Sequence, residues 1–219
     1  MWFILLIPGK PPSADIFPLL KDRILKLSQS DHSLRRSYEE SIASLVLWGW
    51  LTKNEEGQRL VASEEFKRWL LESDEAYRTS CLWLVSRWSS SKDSALYGEL
   101  YEFLGKVWPK ELRVQTSKTA AQMCEIAFNN SERFAEIEPL VERFLVEIED
   151  HGINLLDDEK SIAEQHPVQM SNLLFRAVSD NVHRWPWGME EVLEIIEATG
   201  PEAFSCESFL ELKRMWDSR

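Results

Sequence analysis

Apolar residues recur along most of this chain at intervals of three and four, the spacing that lines one face of an α-helix. Ile16, Leu19, Leu20, Ile24 and Leu27 make the first such face, with Asp15 placed to cap it and Pro18 in its first turn, where a missing N–H costs little. Ile42, Leu45 and Val46 mark a second helix ending near Leu51. Its last turns, LVLWGWL, are apolar all round, which predicts burial on several sides. A turn at Lys53–Gly57 and an extended stretch from Gln58 to Ala62 follow. Ser63 and Asp74 stand where caps of the next two helices belong. From Ser94 the series Leu100, Phe103, Leu104, Val107 and Trp108 keeps helical spacing until Pro109 stops it.

The second half reads the same way. Thr116 or Ser117 opens a helix carrying Ala120, Met123, Cys124 and Ala127, and Asn129-Asn130 breaks it. Ser131 opens another with Phe134, Ile137, Val141 and Phe144 inward, in which Pro139 predicts a kink or a new start. Residues 149–158 read as a loop. Pro167 begins a helix with Met170, Leu173, Leu174 and Ala177. After Trp185-Pro186-Trp187-Gly188, Met189, Val192, Leu193 and Ile196 form one face, closed by Gly200-Pro201. Ser205 is placed to cap the last helix. The pattern predicts an all-α protein, an irregular helical array or α-solenoid-like bundle of about ten helices joined by short loops.

Charge divides the chain unevenly. The 219 residues carry a formal net charge of −12. Residues 1–110 hold 15 basic and 15 acidic side chains, whereas 111–219 hold 10 basic and 22 acidic, so the second half carries the whole excess. A neutral, Trp-rich half (1–110) and an acidic half (111–219) are expected within one continuous helical domain. General nucleic-acid binding is disfavoured, because phosphate contacts need a basic surface. Hydrophobic residues at 44% and 10 Trp supply enough for a core, which disordered chains lack. Cys81, Cys124 and Cys206 are odd in number and far apart, a pattern that suits buried packing in a reducing compartment. The apolar run near the start, Met1 to Ile7, is too short for a signal segment, and no stretch reaches a membrane span. The expectation is a cytoplasmic protein. A second reading makes Met1 to Ile7 a buried segment, and the neutral half a surface for self-association.

No motif states a reaction. The sequence has no Gly-rich phosphate loop, no HExxH, no CxxC and no histidine pair at i, i+4, so no catalytic, cofactor or metal-ligating residue is assigned and no cofactor is expected. His32, His151, His166 and His183 are scattered. The many helical glutamates, among them Glu132, Glu136, Glu138 and Glu142, read as a solvated face. The segment His183-Arg184-Trp185-Pro186-Trp187-Gly188 stands out, because Trp and Arg are enriched at interface hot spots. His183, Arg184, Trp185 and Trp187 are therefore the candidate partner-binding residues, with packing against the following helix as the other use of the two Trp.

Four segments carry a family likeness: YEFLGKVWPKE (101–111), SERFAEIEPLVERFL (131–145), DNVHRWPWGMEEVLEII (180–196) and FLELKRMWDSR (209–219). They resemble the α-helical C-terminal domains of large bacterial anti-phage defence proteins, in which a sirtuin-like or nucleotide-binding domain precedes a helical sensor region. The resemblance covers about residues 80–219 and consists of turns and amphipathic helices. It implies a defence or stress-sensing context with the helical region recognising a partner. It transfers no enzymatic residue, since nothing here matches a nucleotide-binding motif. The expected function is a protein–protein interaction or sensor module with a protein partner, basic if it meets the acidic half. Two alternatives stand beside it: an acidic inhibitor or nucleic-acid mimic that binds a basic protein, and an enzyme with a dispersed carboxylate and histidine site.

Overall fold

A computed structural model describes residues 35–89, 95–114, 116–145, 153–199 and 201–219. The expected first helix from Asp15, the Met1–Ile7 segment, His32, His151, residues 90–94 and 146–152, and Gly200 lie outside these. Among the described residues the chain is all-α, with ten α-helices and no extended sheet. They are α1 (Arg35–Leu51), α2 (Ser63–Glu72), α3 (Glu75–Ser89), α4 (Ala95–Glu102), α5 (Ser117–Phe128), α6 (Phe134–Glu142), α7 (Asp157–Gln165), α8 (Pro167–Ala177), α9 (Met189–Thr199) and α10 (Glu207–Asp217). No helix among them is long and apolar enough to cross a membrane. Contacts divide the chain into two compact units: residues up to Leu84 with Lys106–Pro109, and Val85–Gly105 with Lys110–Arg219. The division falls inside α3, again within the π-helical turn Phe103–Val107 that follows α4, and a third time after Pro109.

In the first unit, α1 buries Ile42, Ala43, Leu45, Val46, Leu47 and Trp50, the consequence of a helix end apolar on every side. The chain then doubles back through a tight turn. Asn54 Oδ1 accepts the N–H groups of Glu56 and Gln58, Gly57 takes φ +78°, and Lys53 pairs with Arg59. The Val61 N–H reaches the Gly49 carbonyl at 2.9 Å, which satisfies one orphan acceptor at the end of α1. Trp50 organises the unit. Its ring meets Phe66 edge-on at 5.8 Å and lies under the Arg59 guanidinium at 4.3 Å. Its Nε1 donates to Ser63 Oγ at 3.0 Å. Ser63 is thus not the cap expected from sequence. Ala62 holds that position without a side-chain bond, because the Ser63 hydroxyl serves the indole. Asp74 does cap, accepting the Tyr77 N–H. Arg78 closes the end of α2 through the Leu70 and Ser73 carbonyls.

The second unit is built around α8. This helix packs against α6, α7, α9 and α10 and buries Met170, Ser171, Leu173, Leu174 and Ala177. A solenoid repeat touches only its neighbours in sequence, so this unit is an irregular bundle about a central helix. Pro167 begins α8 at N1, as its fixed φ favours. Thr116 caps α5 by accepting the Thr119 N–H, and Phe128 stacks on Phe134 at 6.2 Å. The helix expected from Ser94 ends in a π-helical turn, Phe103–Val107. The helix expected to start at Ser131 starts as one turn of 3-10 helix and becomes α6 at Phe134. Pro139 lies within α6 on its exposed side, and the helix ends three residues later. Ser205 is not a cap: its hydroxyl donates to the Glu202 carbonyl, and Cys206 precedes α10 without a side-chain cap.

Candidate partner-binding site

The segment between α8 and α9 is folded onto the second unit by three devices. Asn181 Oδ1 accepts the His183 N–H and starts a 3-10 turn over Val182–Arg184. Trp185, only 4% exposed, donates its Nε1 to the Ser179 carbonyl at 2.6 Å and stacks on Trp216 of α10 at 5.7 Å. Finally, Trp187 pairs in parallel with Asn154, and its carbonyl accepts the Leu155 N–H at 2.9 Å. Gly188 makes that approach possible. Its φ is +88°, and a Cβ there would lie 2.2 Å from the Leu155 carbonyl oxygen, a position no side chain can share.

These devices separate the two tryptophans. Trp185 is core, and so are Pro186 and Met189 beside it. A direct surface contact through Trp185 is ruled out by its burial: it holds the turn. Trp187 is 76% exposed, the most exposed large apolar side chain among the described residues. Side chains alternate across an extended segment, so Asn154 and Leu156 face the same way as Trp187, while Leu155 is buried between them. Leu156 is 56% exposed. Trp187 and Leu156 therefore form one outward apolar face on a fixed backbone. His183 and Arg184 are exposed on the preceding turn.

Carboxylates flank this face on both sides. The first turn of α7 carries Asp157, Asp158 and Glu159, and Glu159 Oε2 accepts the Leu156 N–H at 2.9 Å. The first turn of α9 carries Glu190 and Glu191. Both sets sit where the helix macrodipole favours negative charge. Glu190 is tied to Arg219 at 2.9 Å, and that guanidinium covers the Trp216 ring at 3.7 Å. A shallow cleft of about 630 Å³ runs along Asn154, His183, Trp187, Glu191, Trp216 and Arg219. Sequence reasoning missed Leu156 and Trp216 as members of this region, because the pairing of residues 154–155 with Trp187 brings the first there and stacking on Trp185 brings the second.

Elsewhere the reactive residue types are enclosed. Cys81 and Cys124 are fully buried, and burial pushes both thiols up, which makes them poor nucleophiles. Cys206 is half-buried, 3.7 Å from Asn172 Oδ1. Among the described residues no group of three His, Cys, Asp or Glu side chains is placed to hold a metal ion. One glutamate departs from the expected solvated face. Glu138 is 2% exposed with Oε1 unpartnered, and burial, with the charge of Glu142, pushes its carboxyl up to about 7.

Comparison of the chain with protein-family models, with known proteins and with solved structures finds no match.

Proposed function

We propose that this protein is an interaction module whose second unit receives a basic segment of a partner protein. One observation carries the reading: a tryptophan 76% exposed on a backbone locked from beneath, between two acidic helix starts. An exposed aromatic that costs little conformational entropy to hold is what a hot spot requires. A hydrophobic anchor on the partner would cover Trp187 and Leu156, and its flanking Lys or Arg would meet Asp157, Asp158 and Glu191. The likeness of residues 180–196 to defence-protein sensor regions supports the same use, and we extend the proposal to a sensor role in such a system.

The other two readings have less support. A nucleic-acid mimic needs an uninterrupted anionic stripe, yet Glu136, Glu142, Glu190, Glu197 and Glu211 are each held in an ion pair. A dispersed enzyme site needs convergent acid and base groups; His183 and Glu191 both line the cleft at Trp187, but among the described residues no hydrogen bond or ion pair joins their side chains.

A displayed library of random peptides selected on the immobilised full chain tests the proposal. Enriched peptides should carry an aliphatic or aromatic anchor flanked by Lys or Arg. Trp187→Ala should weaken them at least tenfold while leaving stability within about 0.5 kcal/mol. Trp185→Ala should instead cost roughly 3–5 kcal/mol of stability, as large core truncations do. Selected peptides without basic bias, or with undiminished affinity for Trp187→Ala, would refute it.

A further inference from the structure

The acidic half contains a basic cleft. Three of the ten basic residues in 111–219, Arg113, Arg143 and Arg176, line one depression of about 690 Å³ in the second unit. Different elements deliver them. The Val114 N–H donates to the Phe144 carbonyl at 3.1 Å and so sets Arg113 beside the end of α6. Arg143 is the C-cap residue directly after α6. Arg176 comes from the last turn of α8, the helix on which α6 packs.

Their donors exceed the acceptors around them. Arg176 Nε is paired with Glu142 at 2.9 Å. Arg143 is fixed by stacking on Phe144 at 4.6 Å and by donating Nη2 to the Leu104 carbonyl. Its Nε is buried without a partner, and burial draws the guanidinium below its usual range. Arg113 is exposed and has no ion pair or hydrogen bond among the described residues. Two carboxylates, Glu142 and Asp180, stand against these three cations in the cleft lining, and Asp180 also acts on Arg214. The remaining wall is apolar: Leu145, Phe175, Val178 and Met215. The volume lies within the range of small-molecule sites. Guanidinium forks fit planar carboxylates and phosphate oxygens better than any other side chain does.

We propose that this cleft binds a small organic anion, a carboxylate or phosphate group carried on an apolar body. The anionic group pairs with Arg113 and Arg176 beside the fixed Arg143, and the apolar body lies along Phe175 and Met215. This site shares no residue with the Trp187 face, so either can fail without the other.

Isothermal titration of the full chain at low salt with phenyl phosphate, benzoate and inorganic phosphate provides the test. At least one of the two aromatic anions should bind saturably, and more tightly than inorganic phosphate. Arg113→Gln and Arg176→Gln should each weaken that binding roughly tenfold, the scale of a lost charge-assisted contact. Lys118→Gln, an exposed cation outside the cleft lining, should change it less than twofold. Arg113 is exposed and makes no ion pair or hydrogen bond among the described residues, so its variant should keep the wild-type circular dichroism and melting temperature. The proposal is overturned if neither aromatic anion saturates by about 10 mM, beyond the millimolar scale of weak specific sites. It is equally overturned if Arg113→Gln binds as wild type does, and inorganic phosphate binding as tightly as phenyl phosphate removes the apolar body from it.

Discussion

At the scale of single residues, two tryptophans two positions apart have opposite fates, and backbone geometry decides which. Trp185 is drawn inward by an acceptor for its indole N–H, the Ser179 carbonyl, and by the flat face of Trp216. Trp187 is turned outward because its own backbone is paired with residues 154–155. Gly188 is the hinge of this arrangement, since only a residue without Cβ fits against the Leu155 carbonyl. Gly188→Ala should therefore cost about 2 kcal/mol or more, from the positive φ together with a backbone clash. Urea denaturation would show it as a lowered midpoint at unchanged slope. The same variant should weaken the selected peptides, because an unlocked Trp187 must be ordered on binding. A variant with wild-type stability would mean that the turn is looser than the pairing implies. The sequence pointed to this hexapeptide through its Trp and Arg content. It could not say which Trp was exposed, since that depends on a segment some thirty residues earlier in the chain.

At the scale of the element, local signals were legible where the side chain had only local work to do. Thr116, Asp74 and Pro167 occupy the helix starts their chemistry favours. Ser63 and Ser205 fit the same rule on paper, yet their hydroxyls bond elsewhere, because a tertiary partner or a preceding carbonyl competes with the cap. The helical periodicity gave the inward faces of α5, α8 and α9, but α6 carried a surprise. Glu138 looked like part of a solvated row and is buried, since which face of a short helix is covered depends on the helices beside it, here α5 and α8. This has a pH consequence. The carboxyl titrates near 7 in the fold against an ordinary value of 4.5, so the native state disfavours its charge. Below pH 4.5 it is protonated in both states and costs nothing. As pH rises from 4.5 through 7 the unfolded state loses its proton first, and stability falls until the full penalty is present above 7. Glu138→Gln should thus stabilise the protein by about 1–3 kcal/mol at pH 8, and the gain should vanish near pH 4. Thermal melts of both proteins at the two pH values measure it. An equal effect at both would leave the buried charge without a role.

At the scale of the whole molecule, a net charge of −12 conceals two opposite surfaces. The acidic half flanks an apolar face with Asp157, Asp158, Glu190 and Glu191, and it also gathers three arginines into a cleft of the same unit. Total charge acts at long range and contact chemistry at short range, so the two contributions to partner binding should separate kinetically. A screening length of about 10 Å at 0.1 M salt removes steering by the carboxylates but leaves the contact with Trp187 untouched. For a basic peptide selected on this protein, the association rate should fall roughly tenfold as NaCl rises from about 20 to about 200 mM, with little change in dissociation. Asp158→Asn combined with Glu191→Gln should flatten that salt dependence by slowing association at low salt. Trp187→Ala should do the reverse, keeping the salt dependence while dissociation accelerates, because most affinity lost at a hot spot is lost in the off-rate. Surface plasmon resonance across the salt series resolves the two. If Trp187→Ala instead slowed association and left dissociation alone, the exposed indole would be no anchor, and charge alone would account for the binding.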